Sequence, residues 1–571
     1  MLNTSECIYT AITFAPVQGF IEKSRKLRDL YGSSFILSYL AKAICDAALL
    51  SNCQVISPAP TNVAQGTPNQ IIIQGDYPQV SAQKAFNEAW EKIVKTCGDW
   101  IEQRAKNRWV EEKGQYRKPK CEEECEPWHY SWQRAWNAWG NHAWEFFWAQ
   151  TLPGEELDEV RCRLTEVKRS RNWSGVNWVG ESSTLSGADA VAWPGMADKV
   201  HPKFHSMAEQ TEAIRAFYAQ LSAAVGEAII APNEQLSIPE LVKRLITLET
   251  IAKQLILDAD ERPRIKLPEH QQTGSAASAG KDRGAVETPD TFCDLNRHEA
   301  AYWTGWFQGD GDRIGQYQKD LSASELHSFS QALLNWGKDV LRPTVEGRDP
   351  IEGLGRLIYA GGDDFLGVLY RTAPEPELSA QECLDWFYAF PKLWQRHGHQ
   401  ITVSVGFVWA APNVPQRDVL QHCRLAERAA KDGGRDRIAL RILFNGGNHL
   451  EWICPWWFLE PVLKGYQDRN GATSTNANWT HFYTDVAALQ ARHAFRSRAE
   501  VALALFEIYF PHQRQQLEAH RWDTNGRTGI LANKAEDCAD PTRSLNDWVI
   551  ALANVGFHLF RKPDTVQKQA A

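Results

Sequence analysis

The sequence predicts an α+β protein with two ferredoxin-like domains, a mixed α/β domain between them and a helical domain at the end of the chain. Three observations lead to this fold class. The order strand-helix-strand-strand-helix, typical of ferredoxin-like folds, occurs near the N-terminus. The same order returns in the second half, and helical periodicity dominates the remaining segments. The predicted boundaries are 1–115 for the first copy, 116–295 for the intervening domain, 296–447 for the second copy and 448–571 for the helical domain.

The first copy follows from hydrophobic periodicity. Residues 8–15 alternate in side-chain size and predict a strand, and Leu27, Leu30 and Leu37 recur at helical spacing. The predicted elements are a strand at 8–15, a helix at Phe20–Leu50, strands at Gln54–Ser57 and Gln70–Gln74, and a helix at Ser81–Ala105.

The second copy repeats the order of the elements, without obvious identity of residues, and extends it. The predicted elements are a strand at Ala301–Phe307, a helix at Ala323–Leu341, a hairpin at Arg356–Tyr370, a helix at Ser379–His397, a strand at Gln400–Val408, a helix at Val414–Lys431 and a strand at Arg437–Phe444. Helices are then expected at Tyr483–Gln490, Arg498–Tyr509 and Ser544–Phe560.

The intervening domain is rich in tryptophan, with 12 of the 24 Trp of the chain between Trp90 and Trp193. A helical repeat of four of them favours an aromatic stripe in the core over a base-stacking platform, because stacking sites usually have basic neighbours on strands or loops. These four are Trp128, Trp132, Trp136 and Trp139. The segment 270–290, rich in small and polar residues, is predicted to be a flexible linker.

Charge and composition exclude several classes of protein. The net charge is −8, from 62 Lys and Arg against 70 Asp and Glu, which argues against a free-standing nucleic-acid binder with a basic face. No signal peptide and no apolar stretch approaching ~18 residues is recognised, so no membrane contact is expected. The 12 scattered Cys suit a reduced, cytoplasmic setting.

The hairpin Arg356–Tyr370 carries the most informative turn, Gly361-Gly362-Asp363-Asp364. Glycine supplies the positive φ of a tight hairpin, so the two carboxylates are expected at its tip. A plain hairpin turn is the alternative, because all four residues favour turns for backbone reasons.

A second acidic turn, Asp310-Gly311-Asp312, follows the first strand of the second copy. Carboxylates on neighbouring central strands can converge on Mg²⁺, which prefers hard oxygen ligands. Two such ions can activate an attacking hydroxyl and neutralise a leaving pyrophosphate. An isolated Asp-Gly-Asp can instead serve only as a turn or helix cap.

Lys431 and Arg435 lie four residues apart around the end of the predicted helix Val414–Lys431. An ammonium and a guanidinium there can hold a triphosphate. The alternative is ordinary capping of the helix C-terminus by Gly433.

The order of these three features resembles the palm of GGDEF-type and cyclase-type enzymes. More narrowly, the chain resembles the large palm-containing subunit of type III CRISPR RNA-guided effector complexes, the Cmr-type CRISPR polymerase. The resemblance covers about residues 8–445 and rests on the following segments: Ala15-Pro-Val-Gln-Gly-Phe-Ile21, Arg25–Tyr39, Asp310-Gly-Asp-Arg-Ile-Gly315, Gly361-Gly-Asp-Asp364, Val403-Ser-Val-Gly-Phe407 and Ala430-Lys431.

The resemblance implies a subunit of an antiviral RNA-guided complex that joins ATP into cyclic oligoadenylate when target RNA binds. It implies Mg²⁺ or Mn²⁺, ATP as substrate, and partners that include other effector subunits, guide RNA and target RNA. The implied catalytic residues are Asp310, Asp363 and Asp364; the metal ligands are Asp310, Gly311, Asp312, Asp363 and Asp364; the nucleotide contacts are Gly361, Gly362, Lys431, Arg435, Ser33 and Ser34.

The first palm is expected to be degenerate, because the turn at Ala15–Gln18 has no carboxylate and that at Gly75–Pro78 has one. A nuclease domain of the HD type is not expected, since the chain has no His-Asp dipeptide. Zinc is not expected either, because the candidate ligands lack the spacing of a four-ligand site. These candidates are Cys121, Cys125, His129 and Cys162.

Two other functions remain open at this level. The subunit can be a scaffold with an idle palm that only binds partners and RNA, or a GGDEF-like dinucleotide cyclase. The acidic residues favour an enzyme over a scaffold, and two palms in one chain favour the CRISPR family over GGDEF proteins. Phosphate loops and His-Glu-x-x-His zinc motifs are not found.

Overall fold

A computed structural model describes most of the chain, in two compact units. The first comprises Met1–Asp294 with Gln318–Leu334, and the second comprises Leu295–Tyr317 with Asn335–Ala571. The residues that the structure describes are 7–58, 63, 66–105, 110–112, 115–117, 130–171, 180–196, 207–227, 229–255, 302–347, 353–371, 376–473, 477–496, 498–524 and 526–560. The predicted linker 270–290 and the zinc candidates Cys121, Cys125 and His129 lie outside these residues.

Both units contain strands and helices. The strands are β1 Tyr9–Ala15, β2 Gln54–Ser57, β3 Ile71–Gln74, β4 Val110–Glu112, β5 Gln115–Arg117, β6 Glu145–Gln150, β7 Thr304–Gly311, β8 Gly355–Ala360, β9 Phe365–Leu369, β10 Val403–Ala410, β11 Arg437–Leu443 and β12 His449–Pro455. The helices are α1 Val17–Glu22, α2 Leu27–Leu50, α3 Gln79–Arg104, α4 Tyr130–His142, α5 Leu157–Arg169, α6 Met207–Val225, α7 Ile238–Leu245, α8 Glu249–Leu255, α9 Ile314–Tyr317, α10 Ala323–Trp336, α11 Arg342–Glu346, α12 Ala380–Trp394, α13 Gln416–Asp432, α14 Trp456–Lys464, α15 Trp479–Ala491, α16 Ala499–Tyr509, α17 Arg514–Ala519 and α18 Pro541–Phe560.

The first unit contains an antiparallel sheet in the order β2-β3-β1-β6. Tyr9 on β1 lies opposite Gln74 on β3, and Thr10 lies opposite Gln150 on β6. Helices α2 and α3 pack together against this sheet in one hydrophobic core. This is the strand order of a ferredoxin-like domain, and it confirms the predicted fold of the first copy.

The fourth strand of this sheet, β6, was not predicted from the sequence. It lies at Glu145–Gln150, inside the segment assigned to the intervening domain, so the predicted boundary at residue 115 divides the sheet. The pairing of β6 with β1 depends on contacts across about 135 residues of chain, which local periodicity does not reveal.

The predicted helix Phe20–Leu50 is two helices, α1 and α2. The carboxylate of Asp29 accepts hydrogen bonds from the backbone N–H groups of Arg25 and Lys26, both at 2.9 Å. These bonds satisfy donors at the start of α2 and fix its first turn after Lys26. The continuous helical pattern concealed this break.

The tryptophan stripe on α4 is a core feature, as predicted. Trp132, Trp136 and Trp139 are 1%, 4% and 6% exposed, and Trp132 packs against Phe217 of α6. They are not available to stack with bases. Trp128, the fourth residue of the stripe, lies outside the described residues.

One helix, α2, is long and apolar enough by composition to cross a membrane. Fifteen of its residues are buried, including Ile36, Leu40 and Ile44, which belong to the hydrophobic core of the first unit. A core helix of a globular domain has this character.

The second unit is built on a six-stranded sheet in the order β12-β11-β10-β7-β9-β8. The strands β10-β7-β9-β8 repeat the ferredoxin-like order with antiparallel neighbours, and β11 joins β10 in parallel through α13. The second copy of the predicted fold is thus confirmed. The α15, α16 and α18 helices confirm the helical character of the C-terminal segment and pack together.

Candidate active site

The two acidic turns lie on neighbouring strands in the middle of the second sheet. β7 pairs with β10 on one side and with β9 on the other, and Asp310 lies opposite Ser404. The strand extends to Gly311, farther than the predicted end at Phe307, because its pairing with β10 continues to Val403. Asp310 is therefore fixed by a sheet and not by a loose turn.

The predicted hairpin is present, with a tight tip at residues 361–364. The N–H of Gly361 donates to the carbonyl of Asp364 at 3.1 Å, and Gly362 has a φ of 115°, a conformation that favours glycine. A Cβ added to Gly311 would lie 3.1 Å from the Cβ of Asp363. The absence of a side chain at Gly311 therefore lets the hairpin tip approach the end of β7.

Asp310, Asp363 and Asp364 form an acid cluster in which the negative charges interact. Desolvation by the surrounding protein, the negative charge of Asp310 and a hydrogen bond with Asp310 together raise the pKa of Asp363 to about 7. The same causes, with the charge of Asp363 added, raise the pKa of Asp364 well above its usual range, although its side chain reaches solvent. Because the carboxylates of the acid cluster repel one another, a cation bound between them would be stabilised.

Lys431, on the last turn of α13, supplies a positive charge to the acid cluster. Its ammonium pairs with Asp310 and, at 2.6 Å, with the buried Glu427 one turn earlier. Burial acts to lower the pKa of Lys431, but these two carboxylates outweigh it and raise the pKa. The structure thus places the ammonium of Lys431 beside the acids, and its predicted contact with a triphosphate stays a prediction.

Two residues near the acid cluster were missed by sequence reasoning. Glu427 holds Lys431 from the same helix, and its spacing of four residues from Lys431 was the available signal. Burial and the charges of Asp364, Asp310 and Glu427 raise the pKa of Tyr359, which lies on β8 next to the hairpin tip. Nothing in the strand pattern of β8 distinguished this tyrosine.

Asp312 has a different environment from that predicted for a metal ligand. It is buried, and its carboxylate accepts hydrogen bonds from the hydroxyl of Thr402 at 2.8 Å, the hydroxyl of Ser404 at 2.7 Å and the backbone N–H of Asp436 at 2.9 Å. Three protein donors thus occupy this carboxylate. It joins the end of β7 to β10 and to the turn after α13, and we assign it a positioning role in place of metal binding.

Arg435 lies in the turn after α13, with a backbone φ of 69°. Its N–H donates to the carbonyl of Ala430 at 3.2 Å, while its side chain has no hydrogen bond or ion pair with any described residue. This leaves the guanidinium available for a ligand, and its role in triphosphate binding stays a prediction.

The two serines predicted to contact a nucleotide lie in the interior of the first unit. Ser33 is fully buried in α2, and its hydroxyl donates to the carbonyl of Asp29 at 2.7 Å. Ser34 is 9% exposed. Helix α7 covers this part of α2 so closely that a Cβ on Gly32 would lie 1.9 Å from the carbonyl oxygen of Lys243. The structure therefore contradicts the nucleotide contact of Ser33.

The chemistry of the acid cluster fits a hard divalent cation. Its donors are carboxylate oxygens, the ligands that Mg²⁺ and Mn²⁺ prefer. Within the part of the chain that the structure describes, no three His, Cys, Asp or Glu side chains form a ready-made metal site. In the acid cluster, the Lys431 ammonium lies where a cation would contact Asp310. A metal that binds through Oδ2 of Asp310, the oxygen that pairs with Lys431, therefore requires Lys431 to move away.

Cation binding at the acid cluster is expected to tighten as the pH rises through about 7, the pKa of Asp363. A raised carboxyl pKa stabilises the folded, cation-free protein at low pH, and this contribution is lost as the pH rises through 7. A metal binds only the deprotonated form, so affinity should fall roughly tenfold per pH unit below the pKa for each proton released.

Calorimetric titration of the full chain with Mn²⁺ at several pH values measures this dependence. The matched control is the double variant Asp363→Asn, Asp364→Asn, which should bind Mn²⁺ weakly at every pH. A pH-independent affinity of the unsubstituted protein would contradict the assignment of the acid cluster.

Comparison with known proteins agrees with this arrangement. Residues 9–95 match the family model described as CRISPR-associated protein Cmr2, N-terminal. Residues 303–439, which contain the acid cluster and Lys431, match the model described as Cas10/Cmr2, second palm domain. No curated protein sequence matches the chain.

Solved structures provide a further comparison. The type III-B Cmr-beta cryo-EM structure in the apo state is 11% identical, with a TM-score of 0.53 over 96% of this chain and 82% of that chain. A Csm1-Csm4 cassette in complex with cA3 is 15% identical, with a TM-score of 0.46 over 97% and 70%. Csm1 in T. onnurineus is 14% identical, with a TM-score of 0.44 over 98% and 70%. The Cmr-beta match shows a shared fold, and the two family models identify a Cmr2 N-terminal segment and a Cas10/Cmr2 second palm domain within this chain.

Proposed function

We propose that this chain is the nucleotide-polymerising subunit of a type III CRISPR effector complex and converts ATP into cyclic oligoadenylate when target RNA binds. The observation that carries the proposal is the convergence of Asp310, Asp363 and Asp364 at the centre of the second palm, with Lys431 beside them. The match of residues 303–439 to the second palm domain of Cas10/Cmr2 supports the same activity.

The acid cluster and its neighbours have different roles in the proposed nucleotidyl transfer. Asp310, Asp363 and Asp364, with the Gly311 carbonyl as a predicted addition, would hold Mg²⁺ or Mn²⁺. Bound there, such ions would supply Lewis-acid chemistry for the attacking 3′-oxygen and the leaving pyrophosphate. Lys431, once displaced from Asp310, remains held by Glu427 and can contact a phosphate. Arg435 supplies a second cation for the triphosphate, and Gly361 and Gly362 leave room for the nucleotide at the hairpin tip.

The partners of this chain, in the proposal, are other effector subunits, guide RNA and target RNA. The net charge of −8 supports a division of labour in which other subunits supply most of the RNA-binding groove. The degenerate first palm supports a role in assembly, since β1 ends at Ala15 and is followed by Pro16, without a carboxylate.

The proposed function is tested by assaying the formation of cyclic oligoadenylate from ATP. The purified assembly is incubated with labelled ATP, Mg²⁺ or Mn²⁺, and RNA complementary to its guide, and the products are resolved by chromatography. Cyclic oligoadenylate formed only with matched RNA supports the proposal. If no product forms with either ion, the idle-scaffold function is correct, and the pairing of Lys431 with Asp310 is the observation that favours this second candidate.

The isolated chain is expected to bind RNA weakly. Phosphate contacts dominate such affinity, and an acidic protein neutralises few of them. Filter binding of labelled target RNA at two salt concentrations measures this affinity, with the complete complex as the control. Tight, strongly salt-dependent binding by the chain alone would contradict the proposed division of labour.

A further inference from the structure

The turn at residues 433–437, between α13 and β11, has a conformation that its residues rarely adopt unaided. Arg435 and Asp436 have φ values of 69° and 51°, and Gly434 has a φ of 127°. Two successive non-glycine residues in the left-handed region cost free energy, so such a turn persists only where its surroundings hold it. The contacts of this turn therefore determine where Arg435 lies.

A segment of the C-terminal domain provides these contacts. We call residues 520–524 and 526–533 the clamp loop. Arg437, only 1% exposed, donates from Nε to the carbonyl of Arg435 at 2.9 Å. Its two terminal nitrogens donate to clamp-loop carbonyls, those of Gly529 at 2.9 Å and Ile530 at 3.4 Å. The guanidinium thus joins the 433–437 turn to the clamp loop.

A second link involves the neighbouring residue. The hydroxyl of Thr528 donates to the carboxylate of Asp436 at 2.9 Å. Asn533 also packs on the turn, since a Cβ on Gly434 would lie 2.2 Å from its Oδ1. The clamp loop therefore contacts Gly434, Asp436 and Arg437, the residues on either side of Arg435.

The clamp loop has internal and external supports that give it a defined shape. The N–H of Gly529 donates to the carboxylate of Asp523 at 2.7 Å, and the N–H of Ile530 donates to the carbonyl of His520 at 2.8 Å. The indole N–H of Trp457 donates to the carbonyl of Thr528 at 2.8 Å. The loop is thus a fixed support for the turn.

The same turn is tied to the acid cluster from its other side. The N–H of Asp436 donates to Asp312, which follows Asp310 at the end of β7. Lys431 precedes the turn on α13 and pairs with Asp310. A movement of the turn would therefore change the distance between Arg435 and the carboxylates that would hold the metal.

We propose that the clamp loop positions Arg435 for the triphosphate, with Thr528 and Arg437 as positioning residues, so that the C-terminal domain contributes to nucleotide affinity. This inference rests on the proposed function, because the ligand of Arg435 is taken to be a nucleoside triphosphate. It assigns to the C-terminal domain a part in the site that its helical sequence pattern did not indicate.

The test uses the full chain with the variant Thr528→Val, which removes one hydroxyl and preserves the size of the side chain. We expect affinity for a non-hydrolysable ATP analogue with Mn²⁺ to fall about three- to tenfold, which corresponds to the usual net contribution of one hydrogen bond. The matched control is Thr524→Val, in the same loop, where the hydroxyl bonds to His520 and not to the turn. That variant should bind the analogue like the unsubstituted protein.

A double-variant cycle distinguishes positioning from general damage. If Thr528 acts through Arg435, Thr528→Val should have no further effect on affinity in an Arg435→Ala background. An equal loss in both backgrounds overturns the inference, as does unchanged affinity of Thr528→Val. Hydrogen exchange provides a second measurement, and the amides of 434–436 should exchange faster in Thr528→Val than in Thr524→Val. Equal exchange overturns the structural link, whereas failure of the unsubstituted protein to bind the analogue overturns the proposed function itself.

Discussion

Replacing Asp363 and Asp364 together by alanine is expected to abolish the formation of oligoadenylate from ATP. Without these carboxylates the metal ions lose their anchors, and the charge that develops on the α-phosphate and the pyrophosphate is not neutralised. Loss of one preorganised electrostatic contact commonly lowers a rate by roughly 10²–10³, and loss of the metal ligands should lower it at least that much. Product formation from labelled ATP by the assembled complex measures the effect.

The same double variant should fold and assemble normally. Both residues lie at a hairpin tip and take no part in the core, and exposed turn substitutions usually change stability by within about 0.5 kcal/mol. Size-exclusion chromatography and target-RNA binding check this expectation. Asp432→Ala is the matched control, because Asp432 is the exposed residue next to Lys431 and, among the residues that the structure describes, its side chain pairs only with Arg428, at 3.6 Å. Oligoadenylate synthesis at the normal rate by the double variant would mean that the active site lies elsewhere.

The largest effect on stability is expected for Arg244→Met in the first unit. Arg244 is fully buried and pairs with Asp29 at 2.8 Å and with Glu234 at 2.7 Å. Burial, the largest single cause, acts to raise the pKa of both acids, but the charge of Arg244 together with the hydrogen bonds to each acid, and the charge of Lys26 near Glu234, outweighs it and lowers the pKa of each. Removal of one partner from a buried ion network costs about 3–5 kcal/mol, because the remaining charges are left in the interior.

Urea unfolding followed by tryptophan fluorescence measures this loss, since the first unit is rich in Trp. The control is Arg163→Met, in the same unit, which removes an arginine that also pairs with two acids, Glu155 and Glu159, but is 30% exposed. Exposed pairs contribute about 0–1 kcal/mol, so this variant should unfold almost like the unsubstituted protein. Equal stability of the two variants would show that the buried network contributes nothing.

The effect of Arg244→Met should also depend on pH. Asp29 and Glu234 have lowered pKa values in the folded protein, so their contribution to stability is present above their unfolded pKa values and is lost as the pH falls through the folded values. The difference between the variant and the unsubstituted protein should therefore be largest near neutral pH and narrow on acidification. A difference that does not change with pH would contradict this electrostatic cause.

The sequence by itself determined the two ferredoxin-like copies and the main acids of the candidate site. The strand and helix periodicities of both copies are local properties, and they survive folding with small changes at the ends, apart from the break between α1 and α2 and the unpredicted strand β6. The glycine and aspartate residues of the 361–364 tip define a hairpin through their own backbone preferences. The convergence of this tip with Asp310 follows from the order of the strands. The position of Lys431 follows from the helix after β10, because Lys431 lies at the end of that helix.

The tertiary structure alone decided which polar residues are buried and which are available to a ligand. Ser33 lies on an apparently suitable helix, but α7, more than 200 residues later, covers it. Asp312 looks equivalent to Asp310 in sequence, yet donors from β10 and from the turn after α13 occupy it. The positions of β6 and the clamp loop likewise depend on partners distant in the chain. Periodicity reports the environment of a residue only within its own element, so contacts between distant elements become visible only when the chain is folded.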